Sequence, residues 1–162
     1  MSFDVFTQAF RNGDSAPANA EAARAILSQV RHIHEPEHDF YGVEFPDGSH
    51  LEIYAAGLDG RESFTGVMFA LRGTSEPIGN FIFEFTRASG CVLLPAMDPP
   101  CILLTDEAQE RHLPPNLLEN FQIIPISNGS ELLAALEGGL DTWRAYRDRV
   151  IGGSSDTSSD IT

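Results

Sequence analysis

Residues 40–55 read FYGVEFPDGSHLEIYA, two runs rich in aromatic and β-branched residues on either side of Pro46-Asp47-Gly48. Proline presets one turn dihedral and glycine accepts positive φ, so the stretch predicts a β-hairpin. Alternation places Tyr41, Val43 and Phe45 on one face, answered by Leu51, Ile53 and Ala55 from the returning strand. Glu44 and Glu52 fall between them and are sent to the face away from the core. After a glycine-containing loop, Thr65–Leu71 (TGVMFAL) predicts a third antiparallel strand, completing a meander.

The same logic runs outward in both directions. SFDVFT (2–7) alternates as a first strand with Phe3 and Val5 on one face, punctuated by Asn12-Gly13-Asp14. Between Asn19 and Arg31 the residues Ala22, Ala23, Ile26, Leu27 and Val30 recur at helical spacing, with Asn19 as N-cap and Glu21 in the first turn. NFIFEF has the composition of a strand, yet Ile78, Phe81, Ile82, Phe85 and Ala88 also recur at helical spacing. This predicts a helix capped by Ser75, tolerant of Pro77 at its start and closed by Gly90.

CVLLP and CILLT read as buried strands joined by a loop that Pro99-Pro100 stiffens. A short helix from Thr105 or Asp106 to His112 ends at Pro114-Pro115, ahead of a strand FQIIPI over 121–126. A last helix from Ser130 carries Leu132, Leu133, Leu136, Leu140, Trp143 and Tyr146 on one face. Arg144, Arg147 and Arg149 close it, and Gly138-Gly139 marks a kink. The predicted class is α+β, a mostly antiparallel sheet with helices near 19–31, 75–89 and 130–149 packed largely on one face. Residues 1–151 are expected to form one domain, and GGSSDTSSDIT (152–162), with nothing to bury, a disordered tail.

Charge sets the class of partner. The chain of 162 residues has 24 Asp plus Glu against 10 basic residues, all of them Arg, for a net charge of -14. Such a field repels phosphates and anionic lipid and attracts basic proteins, so nucleic acid and membrane are disfavoured as partners. MSFDVFTQAF lacks the basic and apolar regions of a secretory signal, and no run approaches the roughly 20 apolar residues of a membrane span, so a cytoplasmic protein is expected. Cys91 and Cys101 are read as reduced, buried thiols.

No GxSxG elbow, GxxxxGK[ST] loop, GxGxxG fingerprint or HExxH motif occurs, so the expectation is a protein that is not an enzyme and needs no cofactor. HIHEPEHD (32–39) offers His32, His34 and His38 as candidate metal ligands, and a metal-binding protein or enzyme built on them is the alternative reading. Set at a helix end that runs into a Pro-interrupted loop, the segment lacks a spacing that fixes tetrahedral geometry. It reads as a solvated, pH-sensitive connector.

What remains is the distribution of carboxylates. From Glu35 to Glu62 eight acids stand against Arg61 alone: Glu35, Glu37, Asp39 and Glu44, then Asp47, Glu52, Asp59 and Glu62. With Phe40 and Tyr54 as aromatic anchors among them, these residues form the predicted binding patch for a basic protein partner.

MSFDVF at the start, the FPDG hairpin, GCVLLPAMDPPCILL and the closing TWRAYRDRV are similar to a group of small bacterial cytosolic proteins, over about residues 1–150. Proteins of this size and charge resemble immunity proteins of polymorphic toxin and type VI secretion systems. That resemblance implies an inhibitor that neutralises a cognate toxin by covering its active site. The matching motifs are fold elements, and no catalytic residue is carried over. A housekeeping interaction protein is the remaining reading.

Overall fold

The first strand in sequence lies in the middle of the sheet. The computed structural model describes residues 3–137. In chain order these form β1 (Phe3–Gln8), a small ribbon of β2 (Phe10–Arg11) and β3 (Asp14–Ser15), α1 (Ala20–Leu27), β4 (Arg31–Glu35), β5 (Phe40–Glu44), β6 (His50–Tyr54) and β7 (Met68–Leu71). Then come α2 (Glu76–Ser89), β8 (Val92–Pro95), β9 (Cys101–Leu104), α3 (Pro115–Asn120) and β10 (Gln122–Pro125). Short 3-10 turns span Pro36–His38 and Glu107–His112. Residues 129–137 are helical.

Eight strands build one mixed, mostly antiparallel sheet in the order β10-β9-β8-β1-β7-β6-β5-β4. Strands β7 and β8 both pair antiparallel with β1, so they are parallel to each other and α2 crosses over β1 to join them. The remaining parallel pair is β9 with β10. The protein is therefore α+β, as the patterning predicts.

One face of the sheet carries the main core. Val5, Ile53, Phe69 and Leu93 from alternate strand positions meet Leu27 of α1 and Ile78, Phe81, Ile82 and Phe85 of α2, joined by Leu132 and Leu136. The rings of Phe69 and Phe85 meet edge to face, 5.7 Å between centroids, a favoured aromatic geometry. Side chains of this size contribute about 1.5–3 kcal/mol each when fully buried. The α2 helix starts and stops as its sequence dictates: Ser75 Oγ accepts from the Ile78 N–H, Pro77 occupies the first turn, and Gly90 ends it at φ 78°.

Among the described residues, the opposite face is covered at one end only. There Val92, Ile102 and Leu104 form a second cluster with Leu113, Leu117 and Phe121. Asp106 opens the preceding turn with a capping box, its carboxylate accepting from the Ala108 N–H while Gln109 Oε1 accepts from the Asp106 N–H.

Three expectations are corrected. The helix expected over 19–31 ends at Leu27, and Arg31–Glu35 is a strand paired with β5. HIHEPEHD is therefore the end of an edge strand and a tight turn, not a connector at a helix end: Ile33 is β-prone, and pairing with β5 outweighs the helical spacing of Val30. The third meander strand is shorter than 65–71: the Val67 carbonyl still accepts from the Thr7 N–H, but the Val67 N–H donates to the Thr7 hydroxyl instead of a strand carbonyl. Pro115 does not merely end a helix but starts one, α3, its fixed φ suiting a first helical position. Gly138-Gly139, Leu140, Trp143, Arg144, Tyr146, Arg147, Arg149 and the tail at 152–162 lie outside the described residues. Among the described residues no helix is long and apolar enough to cross a membrane.

Candidate partner-binding face

Beyond the second cluster, the sheet from β4 to β1 presents a face that no described helix covers. Its side chains follow from register. Glu35 pairs with Phe40, Phe40 with Tyr54, Tyr54 with Met68, Met68 with Phe6, and Phe6 with Leu94. Opposed residues in a ladder share a face, so these six form one row across six strands. Phe6 and Tyr54 are 45% and 39% exposed, unusual for large apolar groups on one contiguous surface. The rings of Phe40 and Tyr54 lie 5.3 Å apart.

Ile33 belongs to the neighbouring row, where it is opposed by Gly42, and it is 60% exposed. A methyl group on Gly42 would come within 3.3 Å of Ile33 Cγ1 and 3.4 Å of a Phe40 ring carbon, so the glycine gives both side chains room to lie across the strand.

Charges border these rows. Glu44 sits 3.8 Å from Arg31 and Glu52 3.3 Å from Arg72. Both pairs are solvent-exposed and worth little to stability, so their carboxylates can exchange these arginines for those of a partner at small cost.

The structure brings together five of the ten patch residues, Glu35, Phe40, Glu44, Glu52 and Tyr54, on this face. Glu37 and Asp39 stand in the turn beyond its edge, with Asp39 in a left-handed conformation at φ 53°. Asp47 is at the far end of the β5–β6 hairpin, where the hydroxyl and N–H of Ser49 hold its carboxyl below the usual range. Glu62 is exposed in the connection from β6 to β7, and Asp59 in that connection turns to the other side of the sheet. Ile33, Met68 and Phe6 are the contributors that sequence reasoning missed. Phe6 had a signal: in FDVF it occupies the outward position, opposite in phase to Phe3 and Val5.

The histidines divide in the same way. His32 and His34 oppose Val43 and Tyr41, so they lie on the helix side of the sheet. They line a pocket of about 290 Å³ with Arg24, Tyr41 and Asp59. His38, in the 3-10 turn, does not line it. His32 Nδ1 is 2.9 Å from the Val30 carbonyl, which can only accept, so this nitrogen carries the proton. Arg24 is committed to the Leu58 carbonyl at 2.7 Å and Ser28 to that of Ala25. The Arg61 N–H, helped by its guanidinium, holds the Asp59 carboxyl below the usual range, while burial, then Asp59 and Asp39, push the Tyr41 phenol up. Among the described residues no group of three or more His, Cys, Asp and Glu is placed to hold a metal ion.

No protein-family model, curated protein or solved structure matches the chain.

Proposed function

We propose that this protein is an immunity-type inhibitor that binds a basic protein partner, a cognate bacterial toxin, on the uncovered face of its sheet. The observation that carries the reading is the row Phe40, Tyr54, Met68 and Phe6, in which Tyr54 and Phe6 are exposed and Phe40 and Met68 half-buried, bordered by Glu35, Glu44 and Glu52. Rigid aromatic anchors supply affinity when they are desolvated, and surrounding carboxylates steer a positively charged cleft into register. A net charge of -14 lends long-range attraction to the same encounter. Because the anchors stand on strands rather than loops, little ordering entropy is lost on docking.

The test is to mix the purified protein with the toxin encoded beside it. Co-elution and protection are expected, with Tyr54→Ala weakening the complex at least about tenfold and raised salt slowing its association. Neither co-elution nor protection would remove the reading.

A further inference from the structure

The strand β4 closes one end of the sheet and is exposed along its whole length. Edge strands are commonly guarded by proline, charged side chains or a bulge. RHIHE (31–35) has no proline or bulge, its charged Arg31 and Glu35 stand only at its two ends, its pairing with β5 is continuous, and its centre is the exposed Ile33.

Which groups face the open edge follows from the ladder. The Phe45 N–H donates to the Ser49 carbonyl at 2.9 Å and the Ala55 N–H to that of Asp39 at 2.8 Å, so odd-numbered residues of β5 bond to β6. Even-numbered ones, Phe40, Gly42 and Glu44, therefore turn toward β4, where they meet Glu35, Ile33 and Arg31. That leaves the N–H and C=O groups of His32 and His34 directed away from β5, at an edge that no other described strand pairs with.

We propose that a second copy of this chain pairs antiparallel with β4, with the two-fold axis passing between the two Ile33 residues. In this register His32 and His34 of one copy form hydrogen-bonded pairs with His34 and His32 of the other, using the backbone groups that face outward. Ile33 meets Ile33 as a non-hydrogen-bonded pair, the type with the closer side-chain approach. Arg31 lies opposite Glu35 of the second copy at one end, and the relation repeats at the other, as an isologous interface requires. Parallel pairing would set Arg31 against Arg31. An antiparallel slip by two residues keeps the hydrogen-bonding phase but separates the charge pairs. The register centred on Ile33 is the one that uses all five residues and matches opposite charges at both ends. The dimer so formed is one continuous sheet, with the two uncovered faces on the same side.

Light scattering and sedimentation of the full chain, at concentrations up to about 100 µM, test this. The expected mass is that of two chains. Arg31→Glu and Glu35→Arg each set like charges opposite one another at both ends, and each should weaken association roughly tenfold. An equimolar mixture of the two variants sets two carboxylates of one against two guanidinium groups of the other and should regain wild-type association. Far-UV circular dichroism confirms that both variants are folded. A monomeric wild type overturns the proposal. So does association indifferent to both reversals, or a folded mixture that does not recover.

Discussion

The imidazole of His34 lies flat on the phenol ring of Tyr41, with centroids 4.1 Å apart and planes 4° from parallel. Tyr41 belongs to the core, only 5% exposed, while His34 on the same face is exposed, so the stack seals the core at the edge of the sheet. His34→Ala should cost about 1 kcal/mol, read as a lower urea midpoint at unchanged m-value. An unaltered midpoint would show that the stack contributes nothing.

The same phenol gives a pH dependence. Its folded-state pKa is raised above the ordinary tyrosine value, mainly by burial and then by Asp59 and Asp39. The folded chain thus holds this proton more tightly than the unfolded chain does. The associated stability is complete below about pH 10 and is lost as pH climbs through the folded value. Thermal melts across the alkaline range should show this decline, and Tyr41→Phe should flatten it and remove a late step in tyrosinate absorbance.

Two glycines should respond oppositely to alanine. A Cβ on Gly66 would lie 2.0 Å from the Thr7 carbonyl oxygen, part of the backbone of β1, which cannot swing aside. Gly66→Ala should destabilise by about 3 kcal/mol or more. At Gly73 a Cβ meets nothing within 4 Å, and Gly73→Ala should be neutral or stabilising by up to about 1 kcal/mol, since it restricts the unfolded chain. Urea titrations of both variants provide the comparison, and equal midpoints would contradict the close approach at Gly66.

Both thiols should be silent in the folded protein. Cys91 and Cys101 are 0% and 2% exposed, and burial pushes both pKa values up, which suppresses the thiolate that reacts. A chromogenic disulfide reagent should detect almost no thiol under native conditions and two equivalents per chain in denaturant. Rapid native reaction would contradict their placement.

Much of the fold is legible from periodicity and turn chemistry. FPDG between two alternating runs is sufficient for the β5–β6 hairpin, and Ser75, Pro77 and Gly90 bracket α2 although NFIFEF has strand composition. The β4 strand was hidden because Val30 extends the helical spacing of α1 just before Ile33 begins a β pattern, and only the pairing with β5 decides between them. The candidate face was half legible. Alternation places Glu44, Glu52 and Tyr54 outward, but the row that carries Met68 and Phe6 depends on a register between strands far apart in the chain, which no local pattern encodes. For the same reason Asp59 could not be separated from the other acids: a bend after β6, not a spacing in sequence, turns it to the helix side.

The central position of β1 has a consequence for biosynthesis. Phe3 and Val5 are synthesised well before their strand partners, which reach as far as Pro95. Until those partners emerge, the nascent chain carries an apolar strand without its neighbours in place. Pairings of such high contact order are slow to form and leave aggregation-prone intermediates, so chaperone demand should be greatest before Pro95 emerges.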